Sequence, residues 1–96
     1  MLVNDLEKLT ILKKDLQLKT NANDDFLTFL IESSKKLITQ EGIRIIDGDI
    51  NCDLVNIHYA AYLFRRRGGT ETSMPRFLRY ELNNLLFSQK GKTNDV

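Results

Sequence analysis

Apolar residues in this chain recur at spacings of three and four in separate stretches, and each such stretch predicts an amphipathic helix. Leu2, Leu6, Leu9, Leu12 and Leu16 fall within one arc, and Asn4 with Glu7 resembles a capping box in which Asn replaces Ser or Thr, so a first helix is expected over about 4–18. A polar break follows. Asn23 is placed to cap the next helix, with Asp24 and Asp25 in its first turn, where acidic side chains suit the helix dipole. Phe26, Leu27, Leu30, Ile31, Ser34, Leu37 and Ile38 form its apolar arc, and Gly42 ends it, giving a second helix over about 23–41. From Ile43 to Asn51 the period is lost and Asp47-Gly48 marks a turn. Ile43, Ile45, Ile46 and Ile50 are too apolar for a free loop, so some of them must plug the core and 42–51 reads as an ordered loop, a short strand being the alternative.

The third helix, about 52–67, carries Leu54, Ile57, Ala61 and Phe64 on one line, yet Val55, Tyr59, Tyr62 and Leu63 occupy its other sides. A helix apolar nearly all round must be enclosed by neighbouring helices or by another subunit. Ala60 and Ala61 would let a neighbour approach closely, and Asn51 or Asp53 can cap the start. Its end is marked by Arg65, Arg66 and Arg67 in the last turn and by Gly68, which can take the left-handed conformation that closes a helix. Pro75 then suits the first position of a fourth helix, about 74–89, with Ser73 or Met74 as its cap. Phe77, Leu78, Leu82, Leu85 and Leu86 form the buried arc of that helix and Arg76, Arg79 and Asn83 the opposite stripe, with Gly91 beyond its end. The predicted fold is therefore all-α, a small four-helix bundle in a single domain spanning 1–96, with 90–96 a frayed tail.

Composition narrows the partners rather than the fold. The chain has 96 residues, enough for one small core whose stability is marginal unless a partner adds contacts. A net charge of +1 gives no overall polyanion-binding signature, so a basic function must come from local clustering. The single Cys52 excludes an internal disulfide and fits a reducing compartment. No apolar run approaches the roughly 20 residues of a membrane span, and the start lacks the pattern of a signal peptide, so assembly in the cytoplasm is expected.

Reactive chemistry is scarce. Asp47, Asp49, Asn51 and Asp53 alternate like the first ligands of a calcium loop, but Cys52 stands where that loop needs Gly and His58 where it needs Glu. Cys52 and His58 point about 120° apart on a helix and make no thiolate-imidazole pair. No catalytic residue, metal site or cofactor is expected, and an enzyme is disfavoured. Arg65, Arg66 and Arg67 fan around a helix end, and Arg76 and Arg79 share a stripe; together they can form a basic edge about the Gly68-Gly69 turn. Three readings stay open for it: solvated cations bridged to Glu71 or Glu81, contact with an acidic partner protein, and contact with phosphate. Phe29, Tyr59, Tyr62, Phe77 and Tyr80 belong mostly to the core, yet short helices cannot hide every apolar side chain, and the surplus marks an interface.

The runs YAAYLFRRRGG and MPRFLRYELNNLLFSQK resemble the C-terminal half of small head-tail connector proteins of tailed bacteriophages, the adaptor or head-completion group. LKKDLQLKTNANDDFLTFLIESSKKLITQEGI is similar to the N-terminal half, so the likeness covers roughly residues 5 to 90. The resemblance implies a structural virion protein that forms a ring at the head-tail interface. That ring would dock on the portal, receive a stopper or tail-completion component on its far side and let packaged DNA pass through without sequence-specific binding. Carried onto this chain, it implies partner or DNA-channel contacts at Arg65, Arg66, Arg67, Arg76, Arg79, Asn83, Asn84 and Lys90, with 76–90 nearest the portal. The rival reading is a small helix-turn-helix-like DNA-binding regulator, since Arg76, Arg79, Asn83 and Asn84 follow a Gly-containing turn. The connecting segment is long for such a turn, and the net charge is low for a binder dominated by phosphate contacts.

Overall fold

The computed structural model describes residues 5–46, 48–69 and 73–94. Four helices are present: α1 (Asp5–Asp15), α2 (Asp24–Gln40), α3 (Ile50–Arg67) and α4 (Arg76–Asn94), and no strand forms among the described residues. The all-α four-helix architecture is as the periodicity predicts, while its boundaries differ for local reasons. Helix α1 stops three residues short of the expected Leu18 because Leu18 N–H bonds Lys13 O and Gln17 N–H bonds Lys14 O, the pairing that closes a helix around a left-handed residue. That residue is Gln17, at φ 59°, a conformation that costs a side chain more than it costs glycine. Asn23 precedes α2 but its side chain makes no capping bond; Asp24 and Asp25 do lie in the first turn. Gly42 ends α2 in the left-handed region at φ 94°, as its position predicts.

Helix α3 begins at Ile50, ahead of the expected Cys52, because its cap is Asp49 and not Asn51 or Asp53. The Asp49 carboxylate accepts from Asn51 N–H at 2.8 Å and from Cys52 N–H at 3.2 Å. At the far end Gly68 stays right-handed, at φ −77°, and Gly69 takes the left-handed turn at φ 81°. Pro75 stands just outside α4, its carbonyl accepting from Arg79 N–H, so it occupies the cap rather than the first helical position. Helix α4 continues past Gln89 to Asn94; Gly91 costs helix stability without forcing a stop, and the tail expected from Lys90 is helical to that point. Leu2, Asn4, Asp47 and Glu71, which also entered the sequence expectations, lie outside the described residues.

Helix α3 is the enclosed one. Cys52, Val55, Tyr59 and Tyr62 pack with Ile38, Ile43, Leu78, Leu82 and Leu85 on one side. On the other, Ile57, Ala60 and Ala61 pack with Leu12, Leu27, Leu30 and Ile31, the two alanines lying where close approach is expected. The core is thus split by α3 into two clusters, and its partners are α1, α2 and α4 of its own chain. Ile43 plugs the first cluster from the loop. The body measures 48 × 31 × 18 Å, thinner than two helix diameters of about 10–12 Å each, so every surrounding helix keeps an outer face. Tyr59 and Tyr62 are buried, but Leu6, Phe29, Phe77, Tyr80 and Phe87 are exposed. Leu6 and Phe77 are therefore removed from the buried arcs assigned to them.

Candidate interaction surface

The basic edge expected around the Gly68-Gly69 turn is taken apart by partners within the chain. Arg65 reaches across to Asp15 Oδ2 at 3.3 Å, joining the last turns of α3 and α1. The Arg67 guanidinium lies over the Phe26 ring, 4.6 Å from its centroid, a cation–π contact. Arg79 binds Glu41 through both carboxylate oxygens, at 2.8 and 3.1 Å, tying α4 to the end of α2. Those hydrogen bonds to Glu41 raise the Arg79 pKa further, against the opposing effect of burial. The acids expected to receive these arginines were Glu71 and Glu81. Glu81 instead holds His58 Nδ1 at 2.8 Å, and His58 stands edge-on to Phe77.

Arg66, Arg76, Asn84 and Lys90 are exposed and Asn83 is half-buried. Arg66 sits at the far end of α3, whereas the others share α4 with Tyr80 and Phe87. At about 100° per residue, Arg76, Tyr80, Asn83, Asn84, Phe87 and Lys90 occupy one outward stripe, opposite the buried Leu78, Leu82 and Leu85. Tyr80 is 63% and Phe87 67% exposed, and the stripe carries no acidic residue. Four of the sequence-predicted contacts are thus brought together with two rings that give the face its apolar area. Phe87 is absent from the sequence expectations, although the helical period sets it opposite Leu78, Leu82 and Leu85.

Beside this stripe lies a cleft of ≈ 390 Å³ between the loop and α4, lined by Arg44, Asp49, Asn51, Glu81, Asn84 and Ser88 among others. Its floor is fixed by Gln89: Arg44 N–H donates to Gln89 Oε1 at 2.8 Å, and Gln89 Nε2 donates back to Arg44 O at 2.7 Å. The Asp49 carboxylate caps α3 and the Glu81 carboxylate holds His58, so both acids that line the cleft are engaged within the chain. Among the described residues no group of three His, Cys, Asp or Glu side chains is disposed to hold a metal ion. Asp53 of the alternating acidic run is turned inward instead, 3.5 Å from Lys8.

Cys52 and His58 are not partners. Cys52 is buried, its Sγ 3.6 Å from Arg44 O, and burial pushes its thiol pKa up from the ordinary 9.0. Tyr59 is likewise raised from 10.0, first by burial and then by Glu41. Both are neutral acids whose folded pKa exceeds the unfolded one. Their contribution to stability is therefore complete below those ordinary values and is lost as pH rises through the raised ones. The native thiol is expected to react with an aromatic disulfide at least roughly a hundredfold more slowly than the urea-unfolded chain, and the urea midpoint to fall above about pH 9. Equal reaction rates in the two states would contradict the buried placement.

A polar network inside the core joins Ser34, which the apolar arc of α2 already included, to Lys8, Asp53 and Asn56, whose burial was not foreseen. Lys8, Ser34, Asp53 and Asn56 are all buried. Lys8 Nζ donates to Asn56 Oδ1 at 2.8 Å, and Asn56 Nδ2 donates to Ser34 Oγ at 2.6 Å and to Ile31 O at 3.1 Å. The available signal was Asp53 and Asn56 one turn apart in an otherwise apolar helix. The network joins α1, α2 and α3, and none of its members lines the cleft beside α4, so it fixes helix register.

No helix of the described residues is long and apolar enough to cross a membrane. The chain matches no protein-family model, no curated protein and no solved structure.

Proposed function

We propose that this chain is a head-tail connector subunit of a tailed bacteriophage virion. It assembles into a ring between the portal and the stopper or tail-completion protein, extends the DNA channel and completes the head. The observation that carries the reading is apolar area exposed on separate flanks of a thin body, Phe29 on α2 and Tyr80 with Phe87 on α4. A closed ring needs two unlike patches on each subunit, and a chain with such patches is suited to assembly between larger bodies. The resemblance of YAAYLFRRRGG and MPRFLRYELNNLLFSQK to connector proteins supplies the viral context. The DNA-reader alternative is less well supported, because Arg79 is engaged by Glu41 and the outward face of α4 presents aromatic rings between its cations.

Mass measurement on the purified protein, alone and mixed with portal rings, tests this. Co-assembly into a ring of defined mass on the portal is expected. A monomer that ignores portal rings and binds short duplexes with a steep salt dependence would replace the connector reading with the regulator.

A further inference from the structure

The outward face of α2 is the chemical complement of the outward face of α4. Asp25, Phe29 and Glu32 recur at spacings of four and three on α2, directly opposite the buried Leu27, Ile31 and Ser34. Phe29 is 62% exposed, Asp25 and Glu32 are exposed, and Glu32 pairs with its helix neighbour Lys35 at 3.3 Å. An aromatic ring thus stands between two acids. On α4, two rings, Tyr80 and Phe87, stand between two cations, Arg76 and Lys90, with Asn83 and Asn84 alongside. The acidic stretch is confined to the first part of α2, since Lys36 continues the same stripe one turn beyond Glu32.

The two faces cannot meet within one molecule. Both α2 and α4 pack on α3, through separate clusters for most of their length, and each outward stripe points away from it. An unlike pair of faces on different flanks of one subunit is the arrangement that propagates head to tail.

We infer that the outward face of α4 on one copy docks on the outward face of α2 on the next, and that this contact builds the ring. The inference rests on the connector reading and deepens it: the partner of Arg76, Tyr80, Phe87 and Lys90 is a second copy of this chain. Phe29 lies against the Tyr80 and Phe87 rings, and Arg76 and Lys90 meet Asp25 and Glu32. The apolar centre supplies adhesion, and the charges select head-to-tail over head-to-head pairing, which would bring like charges together.

The test uses the full chain with and without portal rings, association being read by sedimentation. Arg76→Glu with Lys90→Glu reverses one face, Asp25→Lys with Glu32→Lys reverses the other, and a third variant carries all four changes. Every position is exposed, and circular dichroism checks that each variant keeps the helical fold. Each paired reversal should weaken copy-to-copy association at least about tenfold, and the fourfold variant should return to within a few-fold of the parent. If the parent assembles but neither reversal weakens it, or the fourfold variant does not recover, the contact lies elsewhere while the ring reading survives. If the α4 reversal abolishes portal binding and leaves copy-to-copy association intact, that face belongs to the portal and the inference is overturned. A parent chain that never self-associates, with or without portal rings, removes the ring reading and this contact with it.

Discussion

Leu82→Asp is expected to leave the chain without a cooperative fold. Leu82 is 0% exposed in the middle of α4, packed in the cluster that includes Tyr59, Tyr62, Leu78 and Leu85. Losing its side chain costs about 2–5 kcal/mol through lost transfer and an unfilled cavity. Placing an unpaired carboxylate there adds several more, because Lys8, the buried cation among the described residues, is held by Asn56 and Asp53. A domain of this size has about 5–15 kcal/mol in total. The two costs together consume it. Thermal melts followed by far-UV circular dichroism should show no sigmoidal transition for the aspartate variant, whereas Leu82→Met, which keeps volume and polarity, should cost less than about 1.5 kcal/mol. A cooperative melt of the aspartate variant near the parental midpoint would mean that α4 is not packed on α3 as described.

The second large effect comes from the polar network. Lys8 is 3% exposed, and its ammonium is shared between Asn56 Oδ1 and the Asp53 carboxylate. Lys8→Ala leaves that carboxylate buried without its cation and Asn56 Oδ1 without a donor, a loss of about 3–5 kcal/mol. The pair need not be a net source of stability, because desolvating both charges offsets much of their attraction. Lys8→Met combined with Asp53→Leu should therefore recover most of what Lys8→Ala loses. Urea titration of the parent, the alanine variant and the double variant measures both differences. An alanine variant within about 1 kcal/mol of the parent would show that water replaces the ammonium and that the network does not hold α1 in place.

These two sites mark the limits of reading this chain by pattern. Leu82 was legible because the three- and four-residue spacing of Leu78, Leu82 and Leu85 fixes which side of α4 faces inward. Lys8 was not, because a lysine within a leucine pattern has the same local signature whether it meets water or a carboxylate from a helix 45 positions away, at residue 53. The same difference explains Arg79, which shares a polar stripe with Arg76 in sequence but is drawn to Glu41 only once α2 and α4 meet. The end of α1 was misplaced because a left-handed Gln17 sends none of the signal that Gly42 sends at the end of α2. The start of α3 was displaced for another reason: Asp49, Asn51 and Asp53 are all competent caps, and only the entry of the loop selects among them. For the candidate surface, the cations and amides of α4 were foreseen. The rings among them were not, since whether Phe87 is covered depends on the thickness of the body rather than on its own helix.

The bond between Gln89 and Arg44 carries an evolutionary consequence. Gln89 grips the peptide group at position 44 and not its side chain, which points to solvent. Relatives of this chain should therefore accept almost any residue at 44 except proline, whose missing N–H would break one of the two bonds. Position 89 has no such latitude: asparagine is a methylene too short, and glutamate can accept but not donate. Variability should thus run opposite to the usual expectation, with the loop residue free to drift and the late helical residue held.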